Sequence, residues 1–299
     1  MIDVSVIIPV FNRIKTIGRA IDSVLCQTFQ GNVEIIVSDD GSTDGTLEYL
    51  KKNYLDKIVL LEKESNEQGA AAARNRGIKK AQGKYICFLD SDDFYNNNFL
   101  KCLYEAINNG QNLGYAFCRV NKLEKKDDEY LETPWTKTHL NSFAKKYHVL
   151  YSAGCINTIS IMILKEIIDR VGLFDASLRV GEDSDMWLRI SEVSNGVFVD
   201  VVGSVYCISG FSNNQLTSVK SDKVFFAIRV LERALYRYKI KNLNDKTRLF
   251  LIYRNLYILK TTQKPGFVFS LYRQISVRLK LLLFHPLCYI VYMWESVNA

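Results

Sequence analysis

"KYICFLDSDD" (residues 84–93) begins as an apolar strand and ends in Asp90, Asp92 and Asp93, three carboxylates within four positions. Carboxylates have low strand propensity and these repel one another, so the segment reads as a buried strand opening into a loop that awaits positive charge. The same grammar recurs toward the N-terminus. "VSVIIPV" (4–10), "VEIIVSDD" (33–40) and "KIVLLEK" (57–63) are apolar runs of strand length. Helical stretches separate them: Ile14, Ile17, Ile21, Val24 and Leu25 recur at helical spacing. A second helix near 44–53 has Ser42, Thr43 and Asp44 as candidate caps, and "GAAAARNRGIKKAQ" (69–82) is a third, built of small residues. Strands that alternate with helices through short connections, and are too apolar to face water, predict an α/β fold. Its sheet is mostly parallel and covered by helices on both faces.

Past Asp93 the pattern loosens. The spacing predicts a helix near 98–109, strands at 113–119 and 156–164, and a helix over 183–194. Residues 121–143 are polar and aperiodic, either a functional loop or lid or a surface insertion. Residues 220–299 carry 15 Lys and Arg against 4 acids, a charge of +11. Because the whole chain is +7, residues 1–219 stand at −4. The boundaries that follow are an α/β body over 1–219, with halves of about 1–95 and 96–219, and a basic amphipathic helical tail over 220–299. The seven cysteines include no Cys-x-x-Cys pair and no histidine at zinc spacing, which argues for a reducing cytoplasm. The N-terminal apolar run is too short for a signal peptide or a membrane span.

Ligands of open α/β sheets bind outside the carboxyl ends of the strands. Three polar motifs fall there: Pro9-Val10-Phe11-Asn12, Asp39-Asp40-Gly41-Ser42 and Asp90-Ser91-Asp92-Asp93. Each alone reads equally as a turn or a helix cap; together they mark one pocket. Two carboxylates one residue apart offer hard oxygen ligands to Mn²⁺ or Mg²⁺, ions that share their coordination sphere with phosphate oxygens. The expected ligand is therefore a nucleoside diphosphate.

"VSVIIPVFNR … VSDDGSTDGT … NEQGAAAARNRGIKKAQGKYICFLDSDD … GEDSDMWLR" resembles, in order and spacing over roughly residues 3–195, the inverting family 2 glycosyltransferases of GT-A fold that serve bacterial polysaccharide and O-antigen assembly. The resemblance implies that Pro9 and Phe11 line uridine and that Asp40 accepts the uracil N–H. Asn66 and Arg74 match positions that touch base and diphosphate, although a helical Arg74 also reads as a solvated face. Asp90, with Ser91 beside it, matches the aspartate near ribose and metal, and Asp92 the direct metal ligand. Asp93 either supports them or caps the following helix. Glu182-Asp183 matches the family's acidic motif, in which Asp183 is the general base. Glu182 and Asp185 would support it, unless the acids simply favour a helix N-terminus. Trp187 either stacks on the acceptor sugar or packs in the core.

Two departures stand out. A Gln-x-x-Arg-Trp motif, which the processive members carry, is absent, so the resemblance implies one sugar per acceptor. In "VYCISGFSNN" (205–214) Cys207 and Ser209 occupy places where relatives have Arg and His, leaving the third metal contact open. The implied reaction moves a hexose from a UDP-sugar (glucose, galactose or an N-acetyl form) to a polyprenyl-diphosphate-linked saccharide, peripherally at the inner face of the cell membrane. The tail either contacts anionic lipid or packs as a helical subdomain; no recognition motif suggests nucleic acid. The competing classes are a sugar nucleotidyltransferase, for which "PVFNR" lacks the glycine-rich triphosphate loop, and a non-catalytic nucleotide-sugar-binding module.

Overall fold

The computed structural model describes residues 1–63, 67–126, 129–135, 156–178, 180–208, 220–240 and 252. Strands β1 (Val4–Val10), β2 (Val33–Asp39), β3 (Val59–Leu61) and β4 (Tyr85–Phe88) alternate with helices α1 (Ile17–Leu25), α2 (Thr46–Asn53) and α3 (Ala70–Lys80). There follow β5 (Phe94–Tyr95), α4 (Phe99–Asn109), β6 (Leu113–Lys126), β7 (Glu129–Pro134), a 3₁₀ turn (Thr158–Ser160) and β8 (Ile161–Leu164). Helices α5 (Lys165–Val171) and α6 (Glu182–Ser191), strand β9 (Asn195–Ile208) and helix α7 (Lys220–Ile240) complete the described elements.

Among the described residues the strands form one sheet in the order β3-β2-β1-β4-β8-β6-β9-β5, with β7 paired to β6. The first four run parallel, β8 is antiparallel to both its neighbours, and β6 and β9 run parallel again. Strand β1 is central and wholly buried, and its alternate residues serve different layers. Val4, Val6, Ile8 and Val10 pack with Ile17, Ile21, Leu50 and Leu103 of α1, α2 and α4. Ile7 faces the other way, toward Ala71 and Ile78 of α3 and, further along that layer, Ile167 of α5 and Trp187 of α6. Helices thus cover both faces, as the apolar runs predict.

Chain direction places the site. A helix that follows a parallel strand starts at the strands' carboxyl end, which puts the first turn of α3 over the rim where the polar motifs lie. Helix α6 leads into β9, which runs in the same direction as β1–β4, so α6 ends at the amino end of the strands and also starts over that rim. The small residues of α3 bring it close: a Cβ at Gly77 would lie 2.4 Å from Ile7 Cγ2.

Three expectations change. β6 does not stop at 119 but runs to Lys126 and pairs antiparallel with β7. Residues 121–134, read as loop, are therefore mostly a hairpin; its outer strand is exposed almost throughout, so neither face needs apolar periodicity. Residues 136–143 of that stretch lie outside the described residues. β5 and β9 have no counterpart in the reading, because β5 is two residues long and β9 mixes polar and apolar positions. The tail's first helix, α7, packs on the body through buried Val230, Leu231 and Ala234; apart from Ile252, residues 241–299 lie outside the described residues. No helix among the described residues is long and apolar enough to cross a membrane.

Gly77→Ala tests the close approach of α3. Alanine favours a helix over glycine by about 1 kcal/mol, but overpacking a rigid, β-branched neighbour costs about 1–3 kcal/mol. The expected outcome is a lower urea midpoint with an unchanged slope; an unchanged or higher midpoint contradicts the packing.

Candidate active site

At the end of β1 the chain turns out of the sheet. Pro9 is buried in the strand and Phe11 is half exposed, its ring free to receive a planar partner. Asn12 sits in the left-handed region (φ 53°). Its amide donates to Ser42 Oγ (2.9 Å) and its Oδ1 accepts from the Thr43 amide (2.8 Å), latching the β1 and β2 loops together. Asp39 turns the second loop by accepting from the Gly41 and Ser42 amides at 2.8 and 2.9 Å. Asp40 takes an ion pair from Arg76 (3.0 Å) on one oxygen and the Gly69 amide (2.7 Å) on the other. That fixes its carboxylate at the mouth, with lone pairs to spare.

The carboxylate loop after β4 distributes its three aspartates differently. Asp90 pairs with Arg74 at 2.7 Å. Asp92 pairs with Arg13 at 3.3 Å, while Arg19 donates to the Asp92 carbonyl and lies 5.2 Å over the Phe94 ring. Asp93 is fully buried and accepts from the Cys207 amide at 2.7 Å, clamping the end of β9 to the loop. It is thus neither a rim ligand nor the cap of α4, whose N-cap is Asn98. Ser91 is buried beside them. Burial first, and then the charge of Asp90, push both Asp92 and Asp93 up from the ordinary carboxylate range; Arg13 offsets part of this at Asp92.

The third part of the site arrives from far along the chain. Gly181, with φ 84°, turns the backbone into α6, whose first turn carries Glu182 and Asp183. Glu182 Oε1 meets Arg74 Nη1 at 3.0 Å, so one guanidinium, 4% exposed, bridges Asp90 and Glu182. Asp183 Oδ1 accepts from the Ser184 amide at 2.6 Å, and the Thr158 hydroxyl stands 3.5 Å from Oδ2. Burial raises both carboxyls; Asp183 raises Glu182 further, Asp90 raises Asp183 further, and Arg74 pulls both down. Arg74 itself is pushed down by burial and up by Asp90, Glu182 and Asp183, with a net direction of up.

Pro9, Phe11, Asp40, Arg74, Asp90, Ser91, Asp92, Glu182 and Asp183 therefore lie along one rim. Asn66 and Ser209 lie outside the described residues. Two candidates stand elsewhere. Trp187 is 3% exposed and packs against Phe88 and Phe174, with ring centroids 6.2 and 5.9 Å away, so it is core. Asp185 is 3% exposed and points toward α7, bonded to Arg189 and Arg237. A cleft of about 1000 Å³ opens at the opposite end of the sheet beside Lys84, Asn112 and Lys165; none of the motif residues lines it. Residue-by-residue reading missed Arg13, Arg19 and Arg76, the cations that hold Asp92, its carbonyl and Asp40. Arg76 was legible in principle, because a buried carboxylate needs a partner and position 76 lies on a different helix face from Arg74.

Among the described residues no three His, Cys, Asp or Glu side chains converge into a metal cage. The residues present fit a divalent cation: Asp92 and Asp90 are hard oxygen donors one residue apart on the rim, and burial first, then the Asp90 charge, push Asp92 up.

Residues 5–171 match the model of glycosyl transferase family 2, and the chain belongs to that family. An uncharacterised glycosyltransferase of Rickettsia prowazekii is 35% identical over 200 residues, 65% of this chain and 60% of its own. Glycosyltransferase GlyG of Streptococcus pneumoniae is 39% identical over 105 residues, 35% of each chain. The chain thus spans 60% or less of the length of these curated relatives. Among solved structures, S. aureus TarS 1–349 in complex with UDP-GlcNAc superimposes with a TM-score of 0.66 at 21% identity, covering 97% of this chain and 79% of that one. The mannosyltransferase PcManGT of Pyrobaculum calidifontis, in complex with GDP-Man and Mn2+, gives 0.62 at 16% identity, with coverages of 99% and 79%. These likenesses show the GT-A fold.

Arg74→Met should destabilise the protein by about 3–5 kcal/mol at neutral pH, the cost of leaving buried charges uncompensated. The sign with pH follows from linkage. A carboxyl whose folded pKa is raised favours the protonated folded state, so stability is present at low pH and lost as pH rises through that value. Without Arg74, Glu182 and Asp183 move further up. The deficit against wild type should therefore be largest at neutral pH and shrink toward acid in urea unfolding; a deficit that grows toward acid contradicts the bridge.

Proposed function

We propose that the protein is a metal-dependent, inverting glycosyltransferase that moves one hexose from a UDP-sugar to a lipid-linked saccharide acceptor. The observation that carries this reading is the Arg74 bridge, which draws the aspartate loop after β4 and the first turn of α6 to one rim although 92 residues separate Asp90 from Glu182. The nucleotide end rests on the Asn12–Ser42 latch. Phe11 offers a ring face to the base, and Asp40, held by Arg76, accepts its imide N–H. A divalent cation on Asp92 and Asp90, when bound with the diphosphate, supplies Lewis-acid stabilisation of the departing UDP.

The remaining chemistry belongs to the chain's own residues. An acceptor hydroxyl is a weak nucleophile at neutral pH and needs a carboxylate in reach to take its proton as the new bond forms. Asp183 fills that role: it lies at the rim, and burial together with the Asp90 charge raises its proton affinity. Attack from the face opposite UDP gives a β-linkage from an α-linked donor. Two nucleotide sugars are named with the fold neighbours, UDP-GlcNAc and GDP-mannose; a carboxylate at Asp40 accepts from uracil N3–H or guanine N1–H alike, and the choice of uridine rests on the sequence resemblance. The lipid-linked acceptor and a peripheral position on the inner face of the membrane are supported by the +11 charge of residues 220–299 and by exposed Phe225 and Tyr236 on α7.

Asp183→Asn tests the assignment. UDP release is measured over a panel of UDP-sugars with Mn²⁺ and a synthetic diphospholipid-linked acceptor. Transfer should fall by about 10²–10⁴-fold while UDP affinity holds. In wild type the rate should fall as pH drops through the Asp183 pKa, with the acid limb above the ordinary carboxylate value of about 4. Full activity in the variant, UDP binding lost in parallel, or an α-linked product contradicts the mechanism.

A further inference from the structure

Helix α7 begins well beyond the residues that match the family, yet it reaches back to the helix that carries the candidate base. Asp183 and Asp185 are two residues apart on α6, about 200° around the helix, so when Asp183 faces the rim Asp185 faces away from it. Arg237 of α7 receives Asp185 there. Its Nη1 donates to Asp185 Oδ1 at 3.0 Å and its Nε to Glu192 Oε1 at 2.9 Å, so one rigid fork holds two points more than a turn apart near the two ends of α6. The Asp185 and Glu192 side chains are only 4% and 2% exposed, which makes these contacts far less screened than surface pairs. Arg189, one turn further along α6 itself, bonds Asp185 Oδ2 at 2.8 Å and donates to the carbonyls of Val171, Gly172 and Leu173 at 2.9, 3.1 and 2.9 Å. Arg233 of α7 pairs with Asp175 in the segment that leads into α6. Val230 lies over Gly181, whose added Cβ would meet Val230 Cγ2 at 3.5 Å, so α7 also covers the turn that starts α6.

We propose that Arg237 is a positioning residue of the transfer reaction: through Asp185 and Glu192 it fixes the axial placement and rotation of α6, and thereby the direction in which Asp183 meets the acceptor hydroxyl. This rests on the reading of Asp183 as the base. It touches neither donor nor cation, whose residues come from the β1, β2 and β4 loops and α3. The effect is therefore confined to the chemical step. A base carboxylate displaced by about an ångström loses on the order of 10²-fold in rate without losing the nucleotide.

Arg237→Lys keeps the positive charge but replaces the two-point fork with a single point charge, and Arg237→Gln removes the charge. Each is combined with Asp183→Asn, and two quantities are measured: UDP affinity with Mn²⁺ by calorimetry, and UDP release at saturating donor and acceptor, well below each variant's melting temperature. UDP affinity should stay within about twofold while the rate falls about 10–100-fold, the Lys variant less than the Gln variant. In the Asp183→Asn background neither Arg237 substitution should lower the rate further, because the residue acts through a base already removed. An Arg237→Lys enzyme with the wild-type rate, or rate and UDP affinity falling together, or Arg237 losses that multiply with Asp183→Asn, overturns the inference. If Arg237→Gln does not fold, Arg237→Lys alone decides. An Asp183→Asn enzyme with the wild-type rate overturns the base reading and this inference with it, whereas an inactive Asp183→Asn beside an unaffected Arg237→Lys overturns this inference alone.

Discussion

A buried guanidinium between two buried carboxylates is the constraint on which the site depends. Arg74 is locked in the first turns of α3, pairs with Asp90 and Glu182, and also lies 5.7 Å over the Phe174 ring. The segment that carries Phe174 is itself pinned to α3, because Asn75 exchanges two hydrogen bonds of 2.9 Å with the Phe174 backbone. Neighbouring residues on α3 thus fix the β4 loop and the approach to α6 at once. Such a bridge adds little net stability, since desolvating three charges offsets much of their attraction. What it supplies is geometry, with two acidic motifs distant in sequence held along one rim.

The rim carries more acids than cations, Asp40, Asp90, Asp92, Asp93, Glu182 and Asp183 against Arg13, Arg19, Arg74 and Arg76. Asp92, Asp93, Glu182 and Asp183 are all shifted upward, with burial as the leading cause in each. A fold that buries acid in this way is stabilised by whatever positive charge arrives there, and a cation bound with a diphosphate is a ligand of that kind. The cost is held down structurally. Asp93 is taken up by the Cys207 amide, and Asp185 is turned away to Arg189 and Arg237, which leaves Asp90, Asp92 and Asp183 at the rim.

The N-terminal half was legible because its signals are local. Continuous apolar strands, a small-residue helix and turn motifs at the strand ends all depend on neighbours within a few residues; they predict a mostly parallel sheet, and its order β3-β2-β1-β4 is a long-range property that the structure adds. The second half of the body was harder to read. β9 is sheet because β6 offers it an edge, not because its own sequence alternates, and the β6–β7 hairpin is polar on both faces. The partners of the acids were equally hidden. Arg76 for Asp40, Arg13 for Asp92 and Arg237 for Asp185 are pairs 36, 79 and 52 residues apart, and no spacing rule links them. Trp187 illustrates the reverse case: a turn from Asp183, it satisfied a functional and a packing reading alike until Phe88 and Phe174 decided for the core.

The central claim is that this acidic rim binds a nucleoside diphosphate together with a divalent cation. The most direct measurement is calorimetric titration of UDP with and without Mn²⁺, on the wild type and on Asp92→Ala. The account predicts affinity that is strongly enhanced by Mn²⁺ in the wild type and an enhancement that disappears in the variant. UDP binding that is indifferent to Mn²⁺ in the wild type, or an Asp92→Ala protein that keeps the full enhancement, would contradict it.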